Sequence, residues 1–254
     1  MEIRVLTQNL RGPSDPPPHD WASRRPRFRA LLDRVQPDFI ATQEAHFAML
    51  QDLRRDAPPD APLEWTGLGR RGGSSDEHCA VVHRADRWEV TAYDHLALSA
   101  TPRTIPSTWT AAQDCPRMVT WARYRHRVSG VEVTIASTHL DQLCATSRSA
   151  SAQQLVELVE SLGDGPLVLA GDFNDEPGSP AYRTLTGALT AVFPTTEPQQ
   201  TFNGYGAGGG CIDWMWQRGF DAAVWHVLTP EPPVSDHNGV LAQLVLDEPA
   251  TAAR

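Results

Sequence analysis

Lysine is absent from this chain: all 22 basic residues are arginine, which excludes lysine nucleophiles and Schiff-base chemistry. Cysteine is sparse as well. Cys79, Cys115, Cys144 and Cys211 are scattered, with no C-x-x-C pair and no histidine at zinc-site spacing, so they read as free buried thiols. No apolar run reaches the roughly 18 residues of a membrane span, and the N-terminus enters strand-like sequence at once rather than a signal peptide. A cytoplasmic location without a membrane partner is therefore expected. Positive charge is short: the net charge of −9 argues against affinity gained by neutralising a long phosphate backbone, which grows with the number of arginine–phosphate contacts. The arginines that cluster, Arg24, Arg25, Arg27 and Arg29 on a predicted helix and Arg123, Arg125 and Arg127 along a predicted strand, read as solvated faces. No Pro/Gly/Ser linker divides the 254 residues, of which 41% are apolar, so residues 1–247 read as one domain and 248–254 as a frayed tail. A monomer is expected.

What is present is a set of polar residues, each beside a strand-like run. Pro166 to Ala170 reads as a buried strand, and the side-chain period of two sends Asp172 and Asn174 of the string Gly171-Asp172-Phe173-Asn174 to one face at its exit. Ser235-Asp236-His237 stands just before the run Val240 to Leu246. Asn9, Glu44, His139 and Asp213 each follow a run of the same kind. Acids, amides and imidazoles thus collect where strands end, which points to a site at one edge of a sheet.

The pattern predicts strands at 2–9, 38–44, 63–67, 78–84, 87–92, 117–127, 130–139, 166–171, 211–217, 222–228 and 239–246. Helices are expected at 23–36, 46–56, 147–162 and 179–186. Ser129-Gly130 marks a hairpin turn between two of the strands. Helices and strands mix without strict βαβ alternation, which favours an α+β or two-sheet fold over a Rossmann-type one. The stretches 11–20, 99–116 and 201–210 are too long for tight turns and sit beside the candidate residues.

Taken in order, Asn9, Gln43-Glu44, Thr138-His139-Leu140, Gly171-Asp172-Phe173-Asn174, Ile212-Asp213 and Ser235-Asp236-His237 resemble the endonuclease/exonuclease/phosphatase superfamily of metal-dependent phosphoesterases. The resemblance covers about residues 3–246. It implies a four-layer α/β/β/α sandwich with two central, mostly antiparallel sheets. Residues 66–84, Cys115-Pro116-Arg117 and Thr138-His139-Leu140-Asp141 resemble a bacterial, deadenylase-like branch. The chain departs from that branch at Arg71-Gly72 and Asn238-Gly239, both in expected site-edge loops, and this leaves the substrate open.

Hydrolysis of a phosphate ester needs a hard cation, a group to orient or deprotonate water, and donors for the charge of the transition state. Glu44 is the leading Mg²⁺ (or Mn²⁺) ligand, since such ions are held by one or two carboxylates plus water, with Asn9 and Asp236 as partners. Asp172 is expected to position or deprotonate water and Asn174 to donate its amide. The resemblance pairs His237 with Asp213, and His139 with a glutamate placed at Glu77, both histidines donating to phosphoryl oxygens. Arg117 and Phe202 are candidate substrate contacts, the latter with Tyr205 on a glycine-rich segment that offers an apolar wall. A small phosphorylated molecule is expected as substrate. A nuclease or deadenylase acting on nucleic acid is the alternative, and a metal site repurposed for binding a third.

Overall fold

A computed structural model describes residues 1–113, 115–193 and 199–246; the expected frayed tail lies outside them. Twelve strands form two six-stranded sheets. The first sheet contains β1 (Glu2–Asn9), β2 (Phe39–Gln43), β3 (Leu63–Thr66), β4 (Val81–Arg84), β11 (Ala222–Leu228) and β12 (Gly239–Val245), in the order β11-β12-β1-β2-β4-β3. The second contains β5 (Trp88–Ala97), β6 (Met118–His126), β7 (Glu132–His139), β8 (Leu167–Asp172), β9 (Thr190–Ala191) and β10 (Asp213–Arg218), in the order β5-β6-β7-β8-β10-β9. Each sheet has a single parallel pair at its centre, β1 with β2 and β7 with β8, and every other pairing is antiparallel. A helix crosses over each parallel pair, α1 (Trp21–Val35) in the first case and α3 (Ala145–Ser161) in the second, as parallel neighbours require.

Helices α1 and α2 (Phe47–Asp56) cover the outer face of the first sheet, where Phe28, Leu31, Met49 and Leu50 bury Leu6, Ile40 and Leu241. Helices α3 and α4 (Pro180–Ala188) cover the second, with Tyr182 of α4 edge-on to Trp214 at 4.8 Å. The result is an α/β/β/α sandwich. Between the sheets, Phe39 meets Trp88 at 4.9 Å and Tyr124 at 4.8 Å, tilted pairs that add to the apolar burial. No helix among the described residues is long and apolar enough to cross a membrane.

Strand periodicity carries the chain from this apolar seam to a polar end. Side chains two apart share a face, so Ile3 and Val5 lead to Asn9, Phe39 and Ala41 to Gln43, Val133 and Ile135 to His139, and Val168 and Ala170 to Asp172. The apolar members are buried in one core. Gln43 Nε2 donates across the seam to Ser137 Oγ at 3.2 Å, where the polar region begins. Gly171 is needed for the approach of β7 to β8: a Cβ there would lie 2.0 Å from the Thr138 carbonyl oxygen.

Two elements differ from expectation. Strand β5 runs to Ala97 rather than 92, because a bulge between Val90 and Ala92 absorbs Thr91 and lets pairing with β6 resume. Strand β9 is two residues long and pairs only with β10, too short to leave a periodic signal.

Candidate active site

Asn9 ends β1 and its amide lies between two carboxylates. Its Nδ2 donates to Glu44 Oε1 at 2.9 Å and to Asp172 Oδ2 at 3.0 Å, while its Oδ1 accepts the Arg11 backbone N–H at 2.9 Å. Glu44 Oε2 accepts the Gly12 N–H at 3.1 Å. Arg11, Glu44 and Asn174 all have positive φ, at 54°, 55° and 48°. Asparagine tolerates that conformation, whereas for arginine and glutamate it is uncommon and is retained by surrounding contacts.

Asp172 is the buried hub. Its Oδ1 accepts the Asn174 N–H at 2.9 Å, and its Oδ2 lies 3.5 Å from His139 Nε2 and 3.7 Å from His237 Nε2. Burial, and then the neighbouring Asp213, push its carboxyl above the ordinary carboxylate range. Asp213 begins β10 directly opposite Asp172, and its Oδ2 is 2.8 Å from His237 Nδ1. Burial disfavours charge on His237, but Asp213 and Asp172 outweigh it and raise the imidazole to about 10. The ring is therefore held as an imidazolium. His139 is the opposite case, since burial, with Arg117 and His237 beside it, drives its value well below the ordinary range. The neutral ring presents Nε2 to the Asn174 amide at 3.0 Å, and that amide also donates to the Leu140 carbonyl at 3.1 Å.

Glu77 does not pair with His139. Its Oε2 accepts from Arg70 Nη1 at 2.7 Å, because a guanidinium holds a carboxylate more strongly than a neutral imidazole can. Burial and then Glu44 raise Glu77 to about 7. It still borders the site, in a narrow cleft lined also by Glu44, Arg70, Arg117 and His139. Asp236 lies on the other side, 3.5 Å from Arg11 Nη1, with burial raising its carboxyl. Phe202 is half-buried, its ring tilted over His237 at 5.0 Å, and Tyr205 stacks on His19 at 3.7 Å.

The donor set suits a hard divalent cation. Glu44, Asp172, Asp213 and Asp236 crowd together around His237 and Arg11, and Asp213 Oδ1 is buried without a hydrogen-bond partner. Oxygen-rich, carboxylate-dominated sites of this kind favour Mg²⁺ or Mn²⁺ over softer ions. Half-buried His46, Asp76 and Glu77 offer one group of ligand atoms within 4.8 Å of one another, and Asp172, Asp213 and His237 offer another, all buried. Both differ from the expected set of Glu44, Asn9 and Asp236.

Several supporting residues escaped the sequence reading. Arg24 is fully buried, not on a solvated face, and donates to the carbonyls of Leu10, Arg11, Gly12, His19 and Val234. It joins the loop after Asn9 to the loop before Asp236. Its place on the apolar stripe with Trp21, Phe28 and Leu31 is the signal that could have revealed it. Gln8 Nε2 holds the His237 carbonyl at 3.0 Å, and Thr201 Oγ1 accepts the Asp213 N–H at 3.0 Å. Neither has a local sequence signature. Among the described residues the four cysteines form no disulfide; three are buried and Cys144 is half-buried, and Cys115 Sγ accepts from Arg70 Nη1 at 3.1 Å.

The sequence model of the Endonuclease/Exonuclease/phosphatase family matches residues 6–237. Among curated proteins, Nocturnin of Drosophila melanogaster is 31% identical over 181 residues, 66% of this chain, and Protein angel of the same organism is 26% identical over 197 residues, 72% of this chain. The matches cover 26% and 52% of those proteins, so the chain spans about a quarter and a half of the curated relatives' length. Among solved structures, an endonuclease/exonuclease/phosphatase from Bacteroides vulgatus superposes with a TM-score of 0.87 at 25% identity, covering 97% of this chain and all of that one. A mannosyl-6-phosphatase of Bacteroides thetaiotaomicron VPI-5482 gives 0.84 at 24% identity, covering 96% of this chain and all of that one. The human Nocturnin catalytic domain gives 0.75 at 18%, covering 97% of this chain and 95% of that one. The last two share the fold.

Proposed function

The chain belongs to the endonuclease/exonuclease/phosphatase family, and from that premise we propose that it is a Mg²⁺- or Mn²⁺-dependent phosphoesterase acting on a small phosphorylated molecule of the sugar-phosphate or nucleotide type. The observation that carries the reading is the Asn9 amide, which ties the Glu44 carboxylate to Asp172 beside the His237–Asp213 pair. Glu44 would hold the cation, with Asn9 and Asp236 as partners. When bound, the cation supplies Lewis acidity at the phosphoryl oxygens. Asp172 orients a water and takes its proton, a role suited to a carboxyl raised toward neutral pH. As the water oxygen bonds to phosphorus, the ester P–O bond breaks, the leaving oxygen takes a proton from solvent, and Asp172 returns the proton it took to solvent. His237 donates to the phosphoryl oxygens, Asp213 fixing its ring, whereas the two amide hydrogens of Asn174 go to His139 and the Leu140 carbonyl, so that Asn174 positions His139 rather than donating to phosphate as the sequence reading expected. His139, neutral and held by Asn174, completes that wall. Phe202 and Arg117 flank the substrate.

Three features support a small substrate over a nucleic acid: the acidic balance, the aromatic pair Phe202 and Tyr205 at the mouth, and the pairing of Arg11 and Arg70 with carboxylates rather than in a basic track. A panel of phosphomonoesters, phosphodiesters and oligonucleotides, assayed with Mg²⁺ and Mn²⁺, tests it. Turnover of a sugar phosphate or nucleotide is expected. Efficient cleavage of an oligonucleotide with steeply salt-dependent binding selects the nuclease instead.

A further inference from the structure

Arg24 of α1 is fully buried, and every N–H of its guanidinium meets a backbone carbonyl. Nε donates to His19, Nη1 to Leu10 and to Val234 at 3.1 Å, and Nη2 to Arg11 at 3.0 Å and to Gly12 at 2.9 Å. None of these acceptors is a carboxylate. Desolvating a cation that has no paired anion is costly, and neutral donors could fasten the same loops without that cost. The charge itself therefore needs a use.

Two of the acceptors belong to peptide groups whose other ends face the site. The Leu10 carbonyl and the Arg11 N–H are the ends of one peptide group, and that N–H donates to Asn9 Oδ1 at 2.9 Å. The Arg11 carbonyl and the Gly12 N–H are the ends of the next, and that N–H donates to Glu44 Oε2 at 3.1 Å. Because a peptide group is planar, a guanidinium on its carbonyl fixes the direction of its N–H. The same contact polarises the group and strengthens the outgoing hydrogen bond. The two planes meet at the Arg11 Cα, whose φ of 54° is uncommon for a residue with a side chain, and Arg24 grips both planes. A further acceptor, Val234, stands two residues before Asp236, and Arg11 Nη1 lies 3.5 Å from Asp236 Oδ2. The three residues expected around the cation, Asn9, Glu44 and Asp236, are thus all set from one buried side chain.

We propose that Arg24 is a positioning residue for the cation site, acting on Asn9 and Glu44 through the Leu10–Arg11 and Arg11–Gly12 peptide groups, so that cation affinity depends on a side chain in contact with neither cation nor substrate. The inference rests on the metal-dependent reading and deepens it. Amide orientation is part of the effect. With Oδ1 held by the Arg11 N–H, Asn9 turns Nδ2 toward Glu44 and Asp172; released, it is free to turn Oδ1 toward those carboxylates and lose both contacts. Lysine cannot take the place of this arginine, since it keeps the charge but has three donors for the same set of carbonyls.

Cation binding measured without any substrate tests the proposal. In calorimetric titrations with Mn²⁺, Arg24→Lys is expected to bind about ten- to a hundredfold more weakly than the wild-type protein, the usual loss when a residue behind a metal ligand is replaced, with an unchanged far-UV circular dichroism spectrum. Arg27→Ala is the control. Arg27 lies on the same helix and donates to the Pro233 carbonyl at 3.2 Å, so it anchors the neighbouring loop without touching either peptide group, and its removal should leave Mn²⁺ affinity as it was. An Arg24→Lys protein that melts at a lower temperature yet binds Mn²⁺ like the wild type overturns the proposal and leaves Arg24 a fastener of loops. Should Arg24→Lys fail to fold, Arg24→Ala prepared with ethylguanidinium, which replaces the atoms removed, carries the test. Withdrawing ethylguanidinium should then lower Mn²⁺ affinity while the circular dichroism is retained, and loss of both together overturns the proposal. A wild-type protein that binds no Mn²⁺ overturns the metal-dependent reading along with this inference, whereas equal binding by wild type and variant overturns the inference alone.

Discussion

Each sheet is built around the same motif, β1–α1–β2 in the first and β7–α3–β8 in the second, yet the two halves end in different chemistry. On the first side the strands deliver an amide and a carboxylate, Asn9 and Glu44, and the antiparallel neighbour brings the carboxylate-paired His237. On the second side His139 and Asp172 stand where Asn9 and Gln43 stand in the first, one residue short of Glu44, and the neighbour brings the buried Arg117. At the other end of the seam the halves are alike, apolar and interlocked through Phe39, Trp88 and Tyr124. One scaffold used twice supplies stability where its copies match and asymmetric charge where they differ. In the proposed mechanism a cation-holding side thus faces a water-handling side, with Asn9 hydrogen-bonded to both.

The largest expected effects come from the residues that join the halves. Asp172→Asn and His237→Ala should each lower kcat by a factor between about 10² and 10⁴, since general-base action and charge donation are worth that much apiece. KM should move far less. Steady-state kinetics on the substrate found by the panel checks both, and near-normal kcat in either variant removes that residue from its role. Glu44→Gln keeps the side chain's size and deletes the charge that holds the cation. Activity should fall at low Mg²⁺ and recover partly at high Mg²⁺, with an unchanged melting temperature. A metal titration reads this directly, and an unshifted activation curve would assign the cation to the cluster of Asp172, Asp213 and His237 instead.

Which parts of this arrangement were legible in the sequence follows from their range. Strand ends such as Asn9, Glu44, His139 and Asp172 announce themselves locally, because an apolar alternation that stops at a polar residue marks both the strand and its exit. Pairings across the seam have no such mark. Glu77 and Arg70 are seven residues apart, but only the fold shows that Arg70, not His139, takes the Glu77 carboxylate. Arg24 was concealed by its neighbours: Arg25 and Arg29 face outward to Asp56 and Asp33, and composition alone gives all of them the same character. The placement of Asp213 opposite Asp172 depends on a strand register that no local pattern encodes.

The matching end of the seam should answer to stability and not to catalysis. Phe39 is fully buried against Trp88 and Tyr124, so Phe39→Ala is expected to cost about 3–5 kcal/mol of unfolding free energy. The remaining folded fraction should keep its kcat, because the site lies at the far ends of the strands. Denaturant titration with activity measured at equal folded concentration separates the two. A matching fall in kcat would show that the apolar end transmits strain to the polar one.

The smallest expected effect sharpens the same division through pH. His83 lies opposite Phe39 in the β2–β4 ladder, with its ring 4.9 Å from that of Tyr124. Burial, and then Arg127, lower its imidazole to about 4, against about 6.5 in an unfolded chain. Between those values the unfolded chain binds more protons than the folded one, so His83 makes unfolding easier as the pH falls from 6.5 toward 4, and its effect is fully relieved above 6.5. At pH 6 the difference amounts to about 1 kcal/mol. His83→Gln, which cannot titrate, should flatten the dependence of unfolding free energy on pH between 7 and 5 while leaving kcat at pH 7.5 unchanged. Urea melts at half-unit pH intervals measure the slope in both proteins. An identical slope would place the acid sensitivity elsewhere, among the crowded carboxylates of the site, and the two ends of the seam would then share the pH dependence that this comparison assigns in part to the apolar end.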